Sequence, residues 1–128
     1  MTPYWFSKQL PTSRHAIENA VRLAFWGAGF GDTYFTCTEA QPPIKCIGTW
    51  RSTHPFSLEW VPMDYFIVRM DQADNDAFDA FERILGHRAT VAYRDTNGEV
   101  VVEWRVRDGD KRYAELEQAG VKDLEKLS

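Results

Sequence analysis

The chain has 128 residues, of which 27% are charged and 44% apolar, with a net charge of −4. That is one domain's worth of sequence, since domains cluster near ~100–150 residues, and the balance excludes a disordered chain, a collagen and a disulfide scaffold. The acidic pI of about 5.3 argues against a general nucleic-acid binder, which carries a basic surplus.

The N-terminus, Met1 to Phe6, has no basic stretch ahead of an apolar core, so no secretory signal is read there. No window approaches the ~18 consecutive apolar residues of a membrane helix. The expected compartment is the cytoplasm, with the two cysteines as thiols. The first helix is predicted over Thr12–Phe25, capped by Thr12 or Ser13. Ile17, Ala20, Val21, Ala24 and Phe25 recur at the i, i+3, i+4 spacing of a buried stripe, and Arg14, Glu18 and Arg22 pair on the other side. Gly27, Gly29 and Gly31 end it. These glycines follow a helix and precede a strand, the reverse of a phosphate-cradling loop, so a nucleotide site is not read there.

Asp32–Glu39 and Ile44–Arg51 read as strands around the Ala40–Pro43 turn, in a hairpin that sets Cys37 opposite Cys46. The two cysteines are expected as small buried residues on a core face. The third extended segment, Phe56–Met70, carries its large apolar residues at even positions, with Pro62 marking an edge, a bulge or a break. Asp74–Leu85 reads as a helix capped by Asp74 or Asn75, with Phe78, Phe81, Ile84 and Leu85 as its buried stripe and Gly86 as its stop. The acidic run from Asp71 to Glu82 is then mainly helix-start chemistry and a solvated face.

Arg88–Arg94 and Glu99–Arg107 form a hairpin around Asp95-Thr96-Asn97-Gly98, and Asn-Gly is the leading short-range turn signal. Symmetric closure of a four-residue loop would set Tyr93 against Val100, Val91 against Val102, Ala89 against Trp104 and His87 against Val106. The other face would pair Arg94 with Glu99 and Thr90 with Glu103. A charged helix from Asp110 to Ala119 follows, then a weak turn or helix to Leu127. The whole reads as one α+β domain over residues 1–128, with a short helical extension at about 110–127. Its mainly antiparallel sheet has about five strands in the order α-β-β-β-α-β-β-α, with two to three helices on one face.

No metal-ligand or catalytic spacing occurs, and neither a metal nor a cofactor is expected. His54, in the polar loop Arg51–Pro55, and Asp64, placed inward by strand parity, are the only acid/base candidates. A ligand pocket between sheet and helices would be lined by Trp60, Asp64, Phe66 and Tyr93, with His87 at its mouth. Aromatics make up 14% of the chain, and several fall off the core stripes. Tyr4, Trp5 and Phe6 are consecutive, Trp26 lies on the polar side of the first helix near Arg22, and Trp50 adjoins the Arg51–Pro55 loop. Trp, Tyr and Arg dominate binding hot spots. The expected function is a non-catalytic protein-binding or self-associating module of inhibitor, immunity or adaptor type, with a homodimer as its commonest form. The alternative is a small-molecule pocket with acid/base chemistry. The expected partner is protein, with a small molecule in second place; nucleic acid and membrane are not expected.

Overall fold

A computed structural model describes residues 14–27, 29–30, 33–39, 41–51, 53–86 and 88–127. Tyr4, Trp5, Phe6, the Thr12/Ser13 cap and His87 lie outside the described residues. The elements are α1 (Arg14–Gly27), β1 (Tyr34–Glu39), β2 (Ile44–Trp50), β3 (His54–Val61), β4 (Tyr65–Met70), α2 (Asn75–Leu85), β5 (Val91–Arg94), β6 (Val100–Arg105), α3 (Gly109–Ala119) and β7 (Lys122–Lys126). The strands form one antiparallel sheet in the order β1-β2-β3-β4-β6-β5-β7. This is an α+β fold, with seven strands rather than about five.

Two segments account for the extra strands. The long segment breaks at Pro62-Met63-Asp64: the Asp64 amide donates to the Val61 carbonyl at 3.0 Å, and Met63 takes a left-handed φ of 67°. β3 and β4 then pair across this turn, with Trp60 opposite Phe66. The C-terminal stretch forms a strand and not a helix. β7 pairs with β5 at the sheet edge, anchored by Leu124 on one face and by a Lys126–Asp110 ion pair at 2.6 Å.

α1 and α2 cover one face of the sheet. Val21 and Phe25 of α1 and Ala77, Ala80, Phe81 and Leu85 of α2 are fully buried there. They meet the inward residues of the strands, including Trp50, Phe56, Leu58, Trp60, Phe66, Val68 and Trp104. α2 starts and stops as its sequence dictates. The Asp74 carboxylate accepts the amides of Asp76 and Ala77, and Gly86 ends the helix at φ 79°. α3 corrects the expectation that the helices share one face. Its Leu116 and Tyr113 pack on the opposite face, over Ile67, Val91, Tyr93 and Val101. Among the described residues no helix covers the outer face of β1–β3, where Tyr34 and Ile47 are exposed.

The β5–β6 hairpin is one residue out of the expected register. Val91 faces Glu103, Tyr93 faces Val101 and Arg94 faces Val100. The reason is the turn. Asp95 Oδ1 accepts the amides of Asn97 and Glu99, the Asp95 amide donates to the Glu99 carbonyl, and Gly98 sits at φ 80°. Asp95 and Glu99 therefore pair around a three-residue loop whose last residue is left-handed. A one-residue slip moves every side chain to the other face. Tyr93 and Glu103 thereby come to share the face that α3 covers.

Candidate functional site

The acid/base candidates do not meet. His54 begins β3 and Asp64 follows its end, so the strand's eight residues put roughly 24 Å between them at about 3.4 Å per residue. At its own end, His54 Nδ1 lies 3.3 Å from Asp71 Oδ2. Arg51 beside it pairs with Asp76 at 3.1 Å and Asp74 at 3.5 Å, and its guanidinium stacks 4.5 Å over the Phe30 ring. Much of the acidic run is thus spent on capping α2 and on pairing with Arg51 and His54.

The predicted pocket residues are also dispersed. Trp60 and Phe66 form a cross-strand pair on the inner face, Tyr93 lies on the outer face, and Asp64 sits in the β3–β4 turn. The space intended for a ligand is filled by rings: Phe25–Phe81 at 5.1 Å, Phe66–Phe81 at 5.8 Å and Phe66–Trp104 at 5.8 Å. Packing of this density leaves no room for a guest between these residues.

Sequence reasoning missed the polar centre on the outer face. Glu103 is fully buried. Its Oε1 accepts from Arg112 Nε at 2.8 Å and Arg105 Nε at 2.9 Å, and its Oε2 accepts from Arg112 Nη2 at 2.8 Å and the Tyr93 hydroxyl at 2.6 Å. Four donors thus satisfy one carboxylate, and the Arg112 fork is bidentate. Burial alone pushes the Glu103 carboxyl up. The hydrogen bonds from Arg112 and Tyr93, together with the charges of Arg105 and Arg112, outweigh burial and hold it below the ordinary carboxylate range. Burial, then the bond to Glu103, push the Tyr93 hydroxyl up to about 12. The network ties β5, β6 and α3 together.

Beside it opens a polar cleft of about 170 Å³ between the β3–β4 turn and the start of α3, lined by Asp64, Arg105, Arg107, Asp108, Lys111, Arg112 and Glu115. The Val106 amide donates to the Asp64 carbonyl at 3.0 Å and fixes one wall. Asp108 holds a left-handed φ of 60° and gives α3 no side-chain cap. Arg105 stacks 4.8 Å over the Tyr65 ring. Arg107 and Lys111 have no ion-pair partner among the described residues.

The partner-surface candidates divide sharply. Trp50 is a correction: it is fully buried among Phe25, Phe30 and Phe56. Trp26 is 76% exposed and Leu23, one turn before it, is 66% exposed. Arg22 does not stack on Trp26. Its Nη2 donates to Glu18 at 3.3 Å and to the Phe35 carbonyl of β1 at 2.8 Å. The Cys37 amide donates to Glu18 Oε1 at 3.3 Å. Four helix residues rise about 6 Å and two strand residues about 6.8 Å. Glu18 at Cys37 and Arg22 at Phe35 therefore run α1 in step along β1. Cys37 and Cys46 are joined by a disulfide, which corrects the expectation of free thiols.

No protein-family model, curated protein or solved structure matches this chain. No helix among the described residues is long and apolar enough to cross a membrane.

Proposed function

We propose that this chain is a non-catalytic protein-binding module whose partner docks on the exposed side of α1. The observation that carries this reading is Trp26. The helix already buries Val21 and Phe25, yet it presents a Trp at 76% exposure, with Leu23 and Arg22 alongside. An exposed Trp contributes nothing to the core, and Trp and Arg are the residue types that most often anchor interfaces. The dispersal of His54, Asp64 and Tyr93 supports the non-catalytic half of the reading.

The expected result for Trp26→Ala is a melting temperature within about 2 °C of the parent, because surface substitutions away from caps and networks change stability by about 0.5 kcal/mol or less. A photoreactive side chain placed at position 26 is expected to give one discrete protein adduct, which the same group at exposed Gln118 of α3 does not give. A fall of several kcal/mol in stability on Trp26→Ala would make the residue structural and remove the anchor.

The polar cleft supports a second reading, a small anionic ligand. Arg107 and Lys111 leave two cations without an ion-pair partner among the described residues, in a cleft that Arg105 and Arg112 also line together with the carboxylates of Asp64, Asp108 and Glu115. Amide NMR titration with inorganic phosphate is expected to shift Arg107, Asp108 and Lys111. The double variant Arg107→Ala, Lys111→Ala should weaken that response about tenfold, a loss of about 1.4 kcal/mol. Shifts spread evenly over the surface, or an unchanged response in the variant, would discard this reading.

A further inference from the structure

The polar cleft beside α3 holds charges of both signs that do not all pair with one another. Every residue that lines it is charged. Arg105 and Arg112 are held by Glu103, and Arg112 also lies 3.5 Å from Glu115. The other four, Asp64, Arg107, Asp108 and Lys111, form no ion pair among the described residues. Asp108 and Lys111 stand three positions apart, a spacing at which charges can meet on a helix, yet they do not pair. Asp108 occupies the N-cap of α3 and makes no side-chain cap bond there. The walls are fixed from behind. The Val106 amide donates to the Asp64 carbonyl at 3.0 Å, and Thr90 Oγ1 accepts from the Arg105 amide at 2.9 Å. α3 starts so close to Thr90 that a Cβ added at Gly109 would come 2.9 Å from its methyl group. Arg105 itself is pinned by the Glu103 carboxylate at Nε and by the Tyr65 ring against its face.

We propose that this cleft binds a small α-amino acid as its zwitterion, with the carboxylate on Arg107 and Lys111 and the ammonium on Asp64. The proposal rests on the second reading above, a cleft that takes an anion, and names the ligand. Three features select it. The first is sign. A simple anion would meet the carboxylates of Asp64, Asp108 and Glu115 along with the cations, and a simple cation would meet four basic side chains. A ligand with both charges gives each sign an opposite, in charge-assisted hydrogen bonds from guanidinium and ammonium donors to carboxylate acceptors. The second is placement. Asp64 comes from the β3–β4 turn, whereas Arg107 and Lys111 come from the segment that leads into α3, so a ligand charged at both ends bridges the two walls. The third is size. The cleft of about 170 Å³ is larger than the ~30 Å³ share of one water and smaller than the ~300 Å³ at which pockets for drug-sized ligands begin. No apolar residue lines it, so the affinity must come from the two charged ends. Glycine carries those ends and nothing else, which makes it the probe.

The test compares the whole ligand with its halves. Amide NMR titrations of the full chain with glycine, acetate and methylammonium are run at one ionic strength, because exposed charges are screened by salt. Glycine is expected to shift the amides of Asp64, Arg107, Asp108 and Lys111, with an affinity at least about tenfold above that of either half. Asp64→Asn should bring glycine down to the level of acetate and leave acetate as tight as before or tighter, since a repelling carboxylate is gone. The double variant Arg107→Ala, Lys111→Ala should weaken glycine and acetate alike, by at least about tenfold. Circular dichroism should be unchanged in both variants, which alter side chains outside every ion pair among the described residues. Acetate or methylammonium binding as tightly as glycine would overturn the proposal, as would glycine affinity that survives Asp64→Asn. These outcomes separate from those of the underlying reading. If inorganic phosphate shifts the same amides and glycine does not, the zwitterion falls and the anion site stands. If phosphate, acetate and glycine all leave them unmoved, both fall.

Discussion

Glu103→Gln is expected to lower stability by about 3 kcal/mol, at the low end of the cost of removing one partner from a buried ion pair. The carboxylate has no water contact, and four donors from three side chains converge on it. An amide can satisfy only part of that set, and it leaves the Arg112 and Arg105 charges uncompensated. Both arginines are partly exposed, so water takes up some of the loss, which places the effect below the upper end of about 5 kcal/mol. At this chain length the change should appear as a fall of about 12 °C in melting temperature. Replacing the buried part of the network with apolar residues, Glu103→Leu with Arg112→Met and Tyr93→Phe, and leaving the part-exposed Arg105 to solvent, should recover most of the loss, since such swaps are often neutral. A Glu103→Gln protein that melts with the parent would show that the network adds nothing to stability.

The pH dependence has a defined sign. The folded Glu103 carboxyl titrates below its unfolded value. Its contribution is therefore present above the unfolded value of about 4.3 and is lost as pH falls through the folded one. Tyr93 runs the other way. Its hydroxyl, raised to about 12, contributes fully below its unfolded value of about 10 and loses that contribution as pH rises through about 12. Parent and Glu103→Gln stability curves should be furthest apart near neutrality and converge in acid, as read by denaturant titration at each pH.

How far the fold was legible depends on where its determinants lie. α2 is readable because everything it needs is local: the Asp74 cap, the apolar stripe ending at Leu85, and Gly86 as its stop. The break at Pro62 is likewise a local event. The β5–β6 register was not legible by symmetry, because the side chain of Asp95 and the left-handed Gly98 together convert an even loop into an odd one. The polar centre was lost with that register. One signal did point to it. Val100, Val101 and Val102 are apolar at both parities, the mark of a strand covered on both faces. A strand covered on both faces buries Glu103 wherever the turn sits, and a buried carboxylate requires cationic partners. β7 had no local signal at all: Leu124 stands alone among Lys122, Asp123, Glu125 and Lys126, and only its pairing with β5 makes it a strand. For the site, α1 periodicity placed Trp26 on the polar side, where the structure exposes it. Nothing local tied Glu18 and Arg22 to β1, because that contact joins residues 13 and 19 positions apart.

Trp50→Ala should cost about 3–5 kcal/mol, the range for truncating a fully buried large aromatic, while Trp26→Ala costs almost nothing. The two tryptophans carry the same side chain and differ only in surroundings. Trp50 ends β2 on the inner face, with ring centroids of Phe56 at 5.0 Å, Phe25 at 5.8 Å and Phe30 at 6.2 Å. Its removal empties the junction between α1 and the sheet and takes with it ring contacts worth about 0.5–1.5 kcal/mol each. Trp50→Phe isolates the volume term. The Trp50 Nε1 has no hydrogen-bond partner among the described residues, so the smaller ring gives up no bond and should cost only about 1–2 kcal/mol. Near-UV circular dichroism should lose intensity on Trp50→Ala and hold it on Trp26→Ala, because only the buried ring sits in a fixed asymmetric environment. If Trp50→Ala were as mild as Trp26→Ala, the packing of α1 on the sheet would be wrong. The register that sets Glu18 and Arg22 against β1 would then fall with it, because Val21 and Phe25 on the buried side of the same helix fix where its exposed side points.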